Sequence, residues 1–139
     1  VRLDADSIKT KGGLVHDFSA SGKLAAIHWL GFDYPQLRFS TQVVGGGTER
    51  VTAIDQCTAA TTCSNVFTLA YTASAQLQTV TDRANRVASF TWDGSGRLAT
   101  AKDGLDNAKG WLGFRYEYSG KNLTAITSSE NERTEYTYL

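Results

Sequence analysis

One spacing recurs along this chain: an aromatic residue stands six positions ahead of a leucine, with turn-forming residues between them. Phe18 precedes Leu24 in this way, Tyr71 precedes Leu77 and Trp92 precedes Leu98, while Tyr118 precedes Leu123 by five. The clearest copy is Phe90 to Asp103. Phe90 and Trp92, two apart, share one face of an extended strand. Asp93-Gly94-Ser95-Gly96 then supplies turn chemistry, and its glycines can take positive φ. Arg97, Leu98 and Thr100 continue as a second β-compatible run. Alternation and turn chemistry agree on a β-hairpin.

The residues after each leucine are also alike: Leu24-Ala-Ala-Ile27, Leu98-Ala-Thr-Ala101 and Leu123-Thr-Ala-Ile126. Val51-Thr-Ala-Ile54 joins them as a degenerate copy, and Leu3 as a truncated first one. Anchors at 3, 24, 51, 77, 98 and 123 are separated by 21, 27, 26, 21 and 25 residues. A period in this range describes an array whose units pack mainly on their neighbours. The expected fold class is therefore all-β: antiparallel hairpin repeats side by side in one curved sheet. Residues 1–139 read as a single repeat-array region. Leu24, Leu98, Leu123 and Trp92 are expected to be buried.

Trp92-Asp93-Gly94-Ser95-Gly96-Arg97-Leu98 resembles the tyrosine-aspartate, two-residue, glycine-arginine-leucine signature of the Rhs/YD-repeat family, with Trp92 in the tyrosine position. Val80-Thr81-Asp82-Arg83-Ala84-Asn85-Arg86-Val87 resembles that family's second half-repeat. Other copies depart from it. The Phe18 unit has Ser19 for the aspartate and Lys23 for the arginine, and the Tyr71 unit lacks glycine and arginine. The resemblance is clearest over residues 67–139. It implies a segment of a β-solenoid shell, wound spirally in bacterial polymorphic toxins around a toxin domain, and related to arrays in insecticidal toxin complexes and teneurins. The family's self-cleaving aspartate motif has no counterpart here.

Fourteen basic and fourteen acidic residues cancel, without a Lys/Arg run, which argues against nucleic acid or an anionic membrane as partner. No apolar run reaches the ~20 residues of a membrane-spanning helix. A chain that starts at Val1, contains no Met and ends on the alternating Tyr136-Thr137-Tyr138-Leu139 reads as an excised piece of a longer array. Its edges, Val1–Ile8 and Tyr136–Leu139, are expected to pair with other chains or with neighbouring repeats. Cys57 and Cys63 flank a short polar loop, an arrangement that suits a disulfide in an oxidising compartment; two unpaired thiols are the alternative.

Between the first anchors, Trp29-Leu30-Gly31-Phe32-Asp33-Tyr34 has a cousin in Trp111-Leu112-Gly113-Phe114-Arg115-Tyr116, 82 residues on. Pro35 belongs at a strand end or edge. Asp103–Gly110 reads as an exposed loop.

Catalytic chemistry finds little support. His16 and His28 lack metal-ligand spacing. Asp55, Asp82, Asp93 and Asp103 are explained as turn residues without invoking a glycosidase pair. No serine stands in a nucleophile elbow, Gly45-Gly46-Gly47-Thr48 lacks the ending of a phosphate loop, and the sequon Asn122-Leu123-Thr124 overlaps a core anchor. Trp111, Phe114, Tyr116, Tyr118, Tyr136 and Tyr138 are expected to form the apolar face of successive hairpins; the alternative is a sugar-stacking platform. The leading functional reading is a non-catalytic wall segment of a secreted or cell-surface protein, bacterial by its resemblance, that encloses or presents a toxin or effector. It needs no cofactor, and its partners are neighbouring repeats. A carbohydrate-binding or adhesion module is the alternative, and a glycan-active enzyme comes third.

Overall fold

The computed structural model describes residues 2–4 and 6–138, with side chains from Asp6 onward. Val1, Leu139 and the side chain of Leu3 lie outside the described residues, and with them the outermost part of both expected edges. Among the described residues the chain is all-β apart from one short helix, and every strand pairing described is antiparallel. It divides into two compact units, residues 1–68 and 69–139.

The first unit holds β1 (Arg2–Asp4), β2 (Ser7–Lys9), β3 (Leu14–Phe18), β4 (Leu24–Trp29), β5 (Gln36–Val44), β6 (Thr48–Ala59) and most of β7 (Thr62–Tyr71). Each strand pairs with the next in sequence. Two adjacent cross-strand rows show how alternation divides the residues between the two faces. One runs Lys9, Val15, His28, Gln36, Cys57 and Cys63. The other runs Ile8, His16, Ile27, Leu37, Gln56 and Ser64. Among the described residues of this unit, the buried apolar ones are Val15 and Cys57, both in the first row. Pro35 immediately precedes β5, where its missing N–H removes nothing from the ladder.

Strands β6 and β7 extend closer to their tip than the sequence suggests, leaving Ala60 and Thr61 as the turn. Cys57 and Cys63 are directly opposed, Cα atoms 4.0 Å apart, and are joined by a disulfide.

The second unit holds β8 (Leu77–Asp82), β9 (Val87–Trp92), β10 (Leu98–Lys102), a helix α1 (Gly104–Lys109), β11 (Phe114–Ser119), β12 (Asn122–Thr127) and β13 (Arg133–Glu135). Again each strand pairs with its sequence neighbour. The helix corrects the expectation of a loop over Asp103–Gly110. Asp103 caps it, its Oδ1 accepting from the amides of Leu105 and Asp106 at 2.8 and 2.7 Å. The Asp106 carboxylate accepts from the Asp103 amide, completing a capping box with aspartate in the third position. Gly110 ends the helix at φ 69°. Asn107 ties it to β9, donating to the Val87 carbonyl at 2.6 Å.

Within each unit the substantial packing is between sequence neighbours, with α1 added against β9 and β10. This corrects the expectation of buried anchors: Leu24, Leu98, Leu123 and Trp92 are half-buried. A leucine in such a sheet meets the strands on either side within its unit.

Candidate functional site

The element that repeats most faithfully is the turn. At Thr10, Ser19, Thr72, Asp82, Asp93 and Ser128 the residue donates its amide to the carbonyl four residues on, and its carbonyl accepts from the amide three residues on. In each, that third residue has positive φ: Gly13, Gly22, Ala75, Asn85, Gly96 and Asn131. This is a three-residue hairpin loop closed by a left-handed bulge residue. The first residue always offers a side-chain oxygen to the amide four residues on: Thr10 to Leu14, Ser19 to Lys23, Thr72 to Gln76, Asp82 to Arg86, Asp93 to Arg97 and Ser128 to Glu132. Ser19, which stands where Asp82 and Asp93 stand in their turns, therefore performs the same local task.

Two turns carry a second bond set. Asp93 Oδ1 accepts from the amides of Ser95 and Arg97, both at 2.9 Å, while Oδ2 accepts from Arg97 Nε at 2.8 Å. Asp82 and Arg86 reproduce this with Nε at 2.7 Å. In both, the arginine amide and then its guanidinium hold the carboxyl below the ordinary aspartate range, with burial pulling the other way. These aspartates are occupied in shaping turns. Asp55 accepts from Asn65 across the β6–β7 pair, and Asp103 caps α1.

Three of the four aromatic–leucine pairs are seen to close their hairpins, Phe18 opposite Leu24, Trp92 opposite Leu98 and Tyr118 opposite Leu123, next to a register shift in each case. The spacing did not reveal what the aromatic tip does next. Trp92 Nε1 donates to the Leu77 carbonyl at 2.8 Å, Tyr118 Oη to the Leu98 carbonyl at 3.0 Å and Tyr138 Oη to the Leu123 carbonyl at 2.8 Å. The polar tip of one hairpin's aromatic thus fastens to the anchor leucine of the hairpin before it. Arg97 strengthens the middle joint, its guanidinium lying 4.5 Å from the centre of the Tyr118 ring and donating to the Gly120 carbonyl. Val51 lies opposite Thr41 at a register shift.

A different feature occupies the first unit. Leu14, Ile27, Trp29, Pro35 and Leu37, with His28, Gln36 and Gln56, line an open, mainly apolar concavity of about 190 Å³. Beside it, Trp29, Leu30 and Phe32 are 53%, 55% and 65% exposed. The related stretch in the second unit, Trp111, Leu112 and Phe114, is exposed as well. Both copies place their glycine at positive φ, Gly31 at 83° and Gly113 at 67°. At Gly113 nothing larger fits, since a Cβ would stand 2.4 Å from the Ala101 carbonyl oxygen. Tyr116 and Tyr118 are half-buried as hairpin-face residues, whereas Trp111, Phe114, Tyr136 and Tyr138 are exposed, correcting the expectation of one common apolar face.

His28 has no metal-ligand spacing in the sequence, yet it is the better connected of the two imidazoles. Its Nε2 lies 3.0 Å from Asp17 Oδ2, and its Nδ1 lies 2.7 Å from the Phe32 carbonyl oxygen. No sequence motif signals this pairing, because cross-strand register brings Asp17 and His28 together. Among the described residues no group of three or more His, Cys, Asp or Glu side chains is arranged to hold a metal. None of the helices there is long and apolar enough to cross a membrane. No protein-family model and no curated protein matches the chain.

Proposed function

We propose that this chain is a non-catalytic wall segment of a YD-like repeat array, its work being to extend and stiffen a β-sheet that encloses or presents another polypeptide. The observation that supports this most is the series of joints from Trp92 to Leu77, Tyr118 to Leu98 and Tyr138 to Leu123. Each joint uses the aromatic of one unit and the anchor of the unit before, the nearest-neighbour coupling on which a repeat array depends. The aspartate–arginine turns at Asp82 and Asp93 support the resemblance to Rhs/YD repeats, since they give its aspartate and arginine a structural task. The disulfide fits an oxidising compartment, and on this reading the protein is secreted or displayed at a cell surface, bacterial by its resemblance.

A second reading rests on the exposed Trp29 beside Gln36 and Gln56: an aromatic platform with amide groups at its rim suits a sugar ring. Sedimentation velocity over a concentration series, with and without a panel of soluble polysaccharides, separates the two. The wall reading expects self-association through strand edges and no saturable polysaccharide binding. A monomer at all concentrations that binds one polysaccharide, with binding abolished by Trp29→Ala, would replace it with the binding-module reading.

A further inference from the structure

The contacts of His28 do more than fill space. Its side chain is 16% exposed and sits on β4, opposite Val15 of β3 and Gln36 of β5. Both ring nitrogens face acceptors: Nε2 meets the Asp17 carboxylate, while Nδ1 meets the carbonyl oxygens of Phe32 at 2.7 Å and Trp29 at 3.1 Å. A neutral imidazole carries one N–H, so it can satisfy one side of this bridge and must leave the other with two opposed lone pairs. Only the imidazolium donates to both.

We propose that His28 is a proton-operated clamp: doubly protonated, it fastens the loop between β4 and β5, with its exposed Leu30 and Phe32, to Asp17 on β3, and on losing its proton it releases that loop.

The surroundings favour the closed state. Burial by itself lowers the basicity of the ring, but the carbonyls of Phe32 and Trp29, then the Asp17 carboxylate, outweigh it, so that His28 holds its proton above the ordinary histidine value of 6.5. Asp33, next to Phe32, is the charged residue of the loop itself. Asp17 faces the ring from β3. Arg38 of β5 stands diagonally across, opposite Ala26, and directs its guanidinium toward the Ala60 carbonyl at 3.5 Å. Lys9 of β2 lies one strand beyond Val15 in the same row. Gln36 and Val15, directly opposed, carry no charge. The sign follows: a histidine whose basicity is raised by its folded contacts contributes order that is complete in acid and lost as pH rises through its folded value. Closure in acid and release as pH rises through that folded value therefore change how Leu30, 55% exposed, and Phe32, 65% exposed, are presented. This device is independent of the wall reading.

The test is an NMR titration of the uniformly ¹⁵N-labelled 139-residue chain from pH 5 to 9. The clamp predicts both His28 ring nitrogens protonated at pH 6, a midpoint above that of free histidine, and backbone amide shifts of Leu30, Gly31 and Phe32 that follow the same curve. Asp17→Asn should lower the midpoint, since it removes the carboxylate that favours the charged ring. His28→Gln should leave the loop amides independent of pH and identifies which ring signals are not those of His16. A midpoint at or below that of free histidine, or loop amides that do not move with the ring, would overturn the proposal, and wild-type protein alone suffices to see either.

Discussion

Tyr118→Phe removes one hydroxyl from the middle joint and leaves the ring under Arg97 in place. The lost bond is the 3.0 Å contact to the Leu98 carbonyl, in a partly buried setting. A neutral intramolecular hydrogen bond contributes about 0.5–1.5 kcal/mol net, which puts the expected cost near 1 kcal/mol. For a chain of this size that corresponds to a fall in Tm of roughly 3–5 °C. Tyr116→Phe is the matched control: it lies on the same strand, is half-buried, and its hydroxyl has no hydrogen-bond partner among the described residues. Its expected effect is below about 0.5 kcal/mol. Urea denaturation of both variants, with m-values compared to exclude a change in the unfolded state, is the assay. If Tyr116→Phe costs as much as Tyr118→Phe, the tyrosine tips are incidental and the joint is not a unit of stability.

Ala75 takes φ 59°, a conformation that strains any residue with a Cβ, and it stands where Gly13, Gly22 and Gly96 stand in sister turns. Ala75→Gly should therefore stabilise the chain by about 0.5–1 kcal/mol in thermal denaturation, against the usual direction of glycine substitutions. Asp93→Asn should weaken the fold at neutral pH, and the gap to wild type should close in acid. A carboxyl held low in the folded state contributes above the ordinary aspartate range and loses that contribution as pH falls through its folded value. Equal gaps at pH 7 and pH 2.5 in urea titrations would contradict this. Reduction of the Cys57–Cys63 bridge, which closes a short loop, should cost at most about 2 kcal/mol without unfolding the chain. A thiol assay on denatured, unreduced protein should find no free thiol.

Much of the fold was legible because its signals are local. The hairpins around Asp93 and Ser19 follow from alternation and from a glycine in the position that needs positive φ. The disulfide was legible as a spacing, and register confirms it by setting Cys57 opposite Cys63. Helix α1 was missed because six residues carry too little periodicity to register, although Asp103, Asp106 and Gly110 are a cap at each end. The turns at Thr10 and Ser128 carry no flanking aromatic–leucine pair to signal them; only the shared geometry shows that threonine, serine and aspartate are equivalent there. Burial was overestimated at Leu24, Leu98 and Leu123 because a recurring leucine announces a packed face without saying how completely it is covered. The pairing of Asp17 with His28 depends on register between two strands, which a motif search does not see.

The central claim is that each hairpin is stabilised by the one before it through an aromatic-to-leucine joint. A chain in which residues 99–123 are duplicated in tandem tests it most directly. The duplication keeps the leucine phase, so a copied Tyr118 meets the carbonyl of the first Leu123, and the copied Leu123 meets Tyr138. Urea unfolding of this longer chain should show a higher midpoint and a larger m-value than the 139-residue protein, because a nearest-neighbour array gains both a joint and buried surface with every added unit. A lower midpoint, or loss of cooperative unfolding, would contradict the account and mark the chain as a self-contained β-domain whose repeats are not interchangeable.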